Sequence, residues 1–140
     1  MAKAETYFYS LGRRKSATAR VRLQAAKGGG KSAEGGNIVI NGRPALEYLA
    51  GSEYLLAELK KPFTVIEKDS FDVSVVVSGG GIAGQVDAIR LGIAKSLTAM
   101  VPDYKDSLKK AELLSRDPRE KERKKFGLKK ARKQRQFTKR

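Results

Sequence analysis

No cysteine and no histidine occur among the 140 residues. Their absence excludes disulfides, thiolate nucleophiles, thiol or imidazole metal ligands, and the side chain best suited to acid–base work near neutral pH. A chain without cysteine is equally at home in any redox compartment, so a reducing one is compatible but not demanded. No hydrophobic run reaches the length of a membrane span. The N-terminal residues MAKAETYFYS have neither a signal-peptide core nor an Arg-rich transit pattern. The expected location is the cytoplasm.

Acid is scarce where base is most abundant. The net charge is +15, and it is unevenly placed. Residues 1–112 hold 17 basic and 12 acidic groups, while residues 113–140 hold 13 and 3. From Arg123 onward there are ten basic residues in eighteen and no acid, and the only large apolar side chains are Phe126, Leu128 and Phe137. So little apolar surface cannot offset the entropy of ordering such a segment by itself. Fully extended, eighteen residues reach roughly 60 Å, well beyond the radius of a small domain. The expected organisation is a globular body, residues 1–112, and an extended basic tail, residues 113–140, that takes its shape from a polyanion.

The body reads as alternating strands and helices. Thr6 to Ser10 is a short aromatic strand, followed by a tight basic turn from Gly12 to Ser16. Ser16 to Gln24 alternates, with Ala17, Ala19, Val21 and Leu23 on one face and Thr18, Arg20, Arg22 and Gln24 on the other. That outer face is either a solvated surface or a phosphate-facing one continuous with Arg13, Arg14 and Lys15. Ala25 to Gly36 is Gly-rich, Asn37 to Asn41 is a third strand, and Asn41-Gly42 is a turn dipeptide. Two short helical pieces follow Pro44. The second runs from Ser52 to Lys61, with Ser52 as cap and Pro62 as stop. Thr64 to Glu67 is expected to add a strand. Phe71 to Ser78 is the strongest strand, with Phe71, Val73, Val75 and Val77 inward. A long helix runs to Met100 with Ile82, Val86, Ile89, Ile93, Leu97 and Met100 in helical spacing, and a last short helix from Asp103 or Tyr104 leads to about Leu114. The economical architecture is α+β: a two-layer sandwich of a four- or five-stranded, mainly antiparallel sheet with helices on one face.

Two glycine motifs invite an enzymatic reading. Gly30-Lys31-Ser32 has the ending of a P-loop, but Ala25 stands where the first glycine belongs and a strand follows instead of a helix. Gly79, Gly81 and Gly84 satisfy G-x-G-x-x-G between a strand and a helix. The body leaves no room for a second mononucleotide half, and no acidic strand end follows. A small-molecule kinase with a Gly-rich loop would need about twice the length. Two other readings remain for this loop. Its glycines let the helix lie close to the sheet, or Gly80, Gly81 and Gly84 offer helix N–H groups to an RNA phosphate.

Three stretches, in order and with matching spacing, resemble the ninth protein of the small ribosomal subunit in its bacterial form. They are Gly12-Arg13-Arg14-Lys15-Ser16-Ala17-Thr18-Ala19-Arg20-Val21, then Gly79 to Gln85 with Arg90 to Ala94, and finally Ser115-Arg116-Asp117 through to Gln136-Phe137-Thr138-Lys139-Arg140. The resemblance spans nearly the whole chain. It implies the fold named for the second domain of ribosomal protein S-five, with a left-handed β-α-β crossover. It also implies a body lodged on ribosomal RNA in the head of the small subunit, beside neighbouring head proteins, and a tail threading to the peptidyl site. There Thr138, Lys139 and Arg140 would meet the anticodon stem-loop of the bound tRNA. Two features depart from the family pattern: a longer Gly-rich loop from Lys27 to Gly36, and Lys133-Gln134-Arg135.

On this reading there is no catalysis, cofactor, metal, membrane or small-molecule substrate. The candidate ribosomal-RNA contacts on the body are Arg13, Arg14, Lys15, Arg20 and Arg22. On the tail they are Arg116, Arg119, Arg123, Lys124, Lys125, Lys129, Lys130, Arg132, Lys133 and Arg135. Phe126 and Phe137 either stack on bases or pack on protein. A DNA-compacting protein shares the charge but gives no reason for the Gly-led helix. A membrane-surface protein needs a broader apolar face than the tail has.

Overall fold

The computed structural model describes residues 6–25, 36–68 and 70–139. The Gly-rich stretch with its Gly30-Lys31-Ser32 motif, the first five residues, Asp69 and Arg140 lie outside them. Five strands form one sheet: β1 (Phe8–Arg14), β2 (Ala17–Ala25), β3 (Ile38–Ile40), β4 (Arg43–Pro44) and β5 (Phe71–Ser78). Their spatial order is β1-β2-β5-β3-β4. The β1–β2, β2–β5 and β3–β4 pairs are antiparallel and the β3–β5 pair is parallel. The described helices are α1 (Ala45–Tyr48), α2 (Glu53–Ile66), α3 (Ile82–Met100) and α4 (Tyr104–Lys110). The expected α+β sandwich with a mainly antiparallel sheet is what forms.

Alternation decides which face of the sheet is covered. On β2, Ala17, Ala19, Val21 and Leu23 are buried, and on β5 so are Phe71, Val73, Val75 and Val77. These side chains meet Val86, Ala88, Ile89, Ile93, Ala94 and Leu97 of α3, together with Leu59 and Phe63 of α2. Phe63 and Phe71 stack with ring centres 5.8 Å apart. The alternate residues Arg20, Arg22, Ser74, Val76 and Ser78 are exposed, so the opposite face stays open. Asn41 (φ 49°) and Gly42 (φ 80°) turn β3 into β4 as the dipeptide predicts. The Asn41 side chain also clips β5, donating to the Val77 carbonyl at 3.1 Å and accepting from its N–H at 2.9 Å.

Three expectations are corrected. The first strand does not stop at Ser10 before a turn at Gly12. Instead β1 runs to Arg14, and Lys15 (φ 51°) makes the turn. Gly12 is a close-approach residue, because a Cβ there would overlap the Ala88 carbonyl oxygen of α3. Pro62 does not stop α2, which continues through it to Ile66, so Thr64 to Glu67 adds no strand. Proline removes one backbone donor, but Pro62 and Phe63 are both buried, and that packing keeps the helix going to the left-handed Glu67 cap. Ile82, placed on the core face by its spacing, is instead half exposed in the first turn of α3.

Small residues set the distance between α3 and the hairpin. A Cβ on Gly92 would lie 2.5 Å from Val21 Cγ2. Ser10 Oγ donates to the Gly92 carbonyl at 2.5 Å, and Ser96 Oγ donates to Ser10 Oγ at 2.7 Å. These contacts need the backbones close, so Gly12→Ala is expected to destabilise by about 1–3 kcal/mol through overpacking. Gly81→Ala meets open space in an extended conformation and is expected to stay within ~1 kcal/mol of the parent. Urea denaturation of the two variants checks the contrast.

Candidate nucleic-acid interface

Register divides the basic cluster of β1 and β2 between two faces. Arg13 pairs with Thr18, Leu11 with Arg20, and Tyr9 with Arg22. Paired residues point to one side, so Arg13, Arg20 and Arg22 share the open face of the sheet. Residues two apart along a strand lie roughly 7 Å apart, close to the phosphate spacing of a nucleic-acid strand. The side chains of Arg13, Lys15 and Arg20 make no hydrogen bond or ion pair with the described residues, while the Arg22 guanidinium carbon lies over the Tyr7 ring, 5.4 Å from its centre. In the sequence Tyr7 and Tyr9 mark only a short aromatic strand. Their period of two, in register with the arginines, is the signal that places them on this same face.

Arg14 points the other way. Its side chain is 11% exposed and lies between two carboxylates, with Nε 3.4 Å from Asp87 Oδ2 and Nη2 3.2 Å from Asp117 Oδ2. Its Nη1 also donates to the carbonyls of Asp117 (3.2 Å) and Arg119 (2.7 Å). Asp87 pairs in turn with Arg90 (3.3 Å), Arg90 with Glu58 (2.9 Å), and Glu58 with Lys61 (2.6 Å). The Arg14 guanidinium, expected as a phosphate contact, is engaged by groups of the protein itself and joins β1 to α3 and to the root of the tail. The planar fork suits this task, since it serves two carboxylates and two carbonyls at once.

The glycine loop is occupied by the same hairpin. Gly79 and Gly80 have φ of 74° and 67°. A Cβ would lie 2.5 Å from the Ser16 carbonyl oxygen at Gly79 and 3.0 Å from the Ala17 Cβ at Gly80. The β1–β2 turn therefore sits against this loop, which accounts for the glycines by packing. A dinucleotide fold would need parallel strands around this loop, whereas β5 pairs antiparallel with β2 and parallel only with β3. Gly81 caps α3 without a side-chain hydrogen bond. Tyr48 Oη donates to Gln85 Oε1 at 2.7 Å, and Gln85 Nε2 donates to the Gly79 carbonyl at 3.0 Å, bracing the loop.

Beyond α4, Leu113 is buried and Leu114 packs on the core, after which the chain leaves the body. Each acid of the tail is neutralised locally. Asp117 pairs with Arg119 (2.7 Å), Glu120 with Arg116 (3.8 Å), and Glu122 with both Lys125 (2.8 Å) and Arg132 (3.0 Å). Glu122 thereby draws together a reversal that composition did not announce. Lys129 N donates to the Lys133 carbonyl at 2.8 Å, Leu128 bridges to Gln134, and Gly127 has φ 76°. Lys124, Lys129, Lys130, Lys133, Arg135 and Lys139 are exposed with no acidic partner among the described residues. Thr138 is exposed too, and Phe126 and Phe137 are almost fully so, at 97% and 90%.

Asp117 is held well below the usual carboxylate range, first by the Arg119 side-chain hydrogen bond, then by the Arg119 backbone N–H and the charges of Arg119 and Arg14. A depressed folded-state pKa gives a contribution that is full above the unfolded value, near 3.8, and lost as pH falls through the folded one. Carboxyl NMR titration of Asp117 is therefore expected to show it ionised throughout the ordinary carboxylate range. Arg119→Gln should raise its pKa more than Arg14→Gln does, and the reverse order would contradict this account of the tether.

Outward-facing cations on a sheet face and a tail, tail acids each paired with a nearby cation, and a glycine loop filled by packing describe a polyanion-binding surface. Among the described residues, no helix is long and apolar enough to cross a membrane. The family described as ribosomal protein S9/S16 matches residues 12–140, which takes in the hairpin, α3 and the tail together. That family is structural and not enzymatic, and it works in the ribosome, in the cytoplasm, as a component of the small subunit that binds ribosomal RNA. The chain belongs to the ribosomal protein S9/S16 family.

Proposed function

We propose that the body, residues 1–112, anchors on small-subunit ribosomal RNA in the head, and that the tail, residues 113–140, reaches the peptidyl site. In this reading Arg13, Arg20 and Arg22 on the open face of the sheet, with Lys15 in the adjoining turn, hold the RNA backbone. The cations of the tail from Arg123 to Arg135, of which Lys125 and Arg132 also pair with Glu122, displace counterions from further phosphates. Thr138, Lys139 and Arg140 then contact the anticodon stem-loop of the bound tRNA, adding positive charge there without reading its sequence. The N–H groups at Gly80, Gly81 and Gly84 offer one further phosphate contact, subordinate to the packing role of the loop.

The observation that carries this reading is how charge is sorted. Asp87, Glu58, Asp117 and Glu122 are paired within the protein, and the cations left over face outward. Surface ion pairs of this kind stabilise by only ~0–1 kcal/mol each, so their larger consequence is to take those four carboxylates out of competition for the remaining cations. Neighbouring head proteins are further expected partners. No specific residue is assigned to them.

If roughly seven to ten tail charges engage phosphates, log affinity for ribosomal RNA should fall with log salt at a slope of about −5 to −7. Removal of Gln136 to Arg140 is expected to leave subunit assembly largely intact and to weaken tRNA binding at the peptidyl site. Filter binding of tRNA to purified subunits carrying the truncated chain tests this. An unchanged tRNA affinity would contradict the peptidyl-site role while leaving the RNA-anchoring role in place.

A further inference from the structure

The open face of the sheet carries aromatic surface in register with its arginines, and the reading above makes no use of it. Tyr9 lies across from Arg22, Arg22 across from Ser74, and Ser74 beside Val39. With strands ~4.8 Å apart, that row runs roughly 15 Å across four strands. The neighbouring row is Leu11, Arg20 and Val76. Tyr7, Tyr9 and Val76 are each about half exposed, at 48%, 53% and 48%. An open groove of about 690 Å³ lies along the first row, with Tyr7, Arg22, Asn37, Val39, Asp72 and Ser74 on its walls.

We infer that this face is a stacking platform for an unpaired segment of ribosomal RNA. Bases stack against Tyr9 and against the Arg22–Tyr7 pair, in which the guanidinium already lies over the tyrosine ring, while Arg20 and Arg13 hold the phosphates of the same strand. The inference rests on the ribosomal-RNA role and adds the class of RNA the body takes: splayed, single-stranded nucleotides rather than duplex backbone. Three features favour this occupant. Exposed tyrosine rings and arginine planes accept any base by stacking, whereas an A-form duplex presents no base faces to a flat sheet. The ~7 Å step between Arg20 and Arg22 matches one nucleotide, so base and phosphate contacts can repeat together. Charge is complementary to an anion, with three guanidiniums facing one carboxylate, Asp72, which already accepts from the Asn37 N–H at 3.4 Å. A protein partner would have to bury Arg20 and Arg22 and supply acids for both.

The test uses the full chain, purified small-subunit ribosomal RNA and three readouts: affinity, salt slope, and dimethyl sulfate reactivity of unpaired bases. The double variant Tyr7→Leu, Tyr9→Leu keeps apolar bulk but removes the rings. It is expected to weaken binding by at least about fivefold, to raise the reactivity of one or more unpaired bases, and to leave the salt slope unchanged. Tyr7→Phe with Tyr9→Phe is expected to recover most of the loss. Ultraviolet crosslinking of the unaltered chain in assembled subunits needs no substitution at all and is expected to join Tyr7 or Tyr9 to RNA. Leucine affinity within twofold of the parent, unchanged base reactivity, or crosslinks from these tyrosines to a protein would overturn the platform while leaving the ribosomal-RNA role standing. Failure of the unaltered chain to bind this RNA would remove both.

Discussion

The Arg14 guanidinium is where strand, helix and tail meet, and the arrangement of the molecule follows from what it holds. It spans Asp87 on α3 and Asp117 at the root of the tail, and it ties down the Asp117 and Arg119 carbonyls beside them. Removing the Arg14 guanidinium would leave both carboxylates without this shared cation and both carbonyls without their donor. In a chain of net charge +15 such a junction has a second effect. Glu58, Asp87 and Asp117 are taken up by cations of the protein itself, which leaves Arg13 and Arg20 without a carboxylate partner among the described residues. From Lys61 through Glu58, Arg90, Asp87 and Arg14 to Asp117, opposite charges alternate from α2 to the tail.

The close approach of α3 to the hairpin makes that junction possible. Gly12 and Gly92 remove the Cβ atoms that would hold strand and helix apart, and Ser10 and Ser96 satisfy each other in the narrow gap. Gly79 and Gly80 let the β1–β2 turn sit against the loop before α3. A motif that reads as a nucleotide cradle is thus taken up by the protein's own backbone. The sheet consequently has one covered face and one open face, and the open face carries Arg13, Arg20 and Arg22.

How much of this was legible depended on whether the governing force was local. The alternation of β2 and β5 and the helical spacing of α3 named most of the core, because each follows from a single periodic face packed against one layer. Asn41-Gly42 announced its turn because both residues adopt positive φ at little cost. Pro62 misled because a missing donor is a local signal, whereas the burial of Pro62 and Phe63 that sustains α2 is tertiary. Gly12 read as a turn because its need, room for the Ala88 carbonyl, lies 76 residues away in sequence. Arg13 and Arg14 looked equivalent until register sent one outward and the other inward. In the tail the abundance of base was plain, but not the single carboxylate, Glu122, that folds Lys125 and Arg132 back on each other.

A compact anchor holding a cationic thread against ribosomal RNA makes one demand above all others. The native protein should sediment with small ribosomal subunits from a cell extract at physiological ionic strength and come off only as salt is raised well beyond it. Sedimentation of the native protein apart from ribosomes at physiological ionic strength would contradict the account.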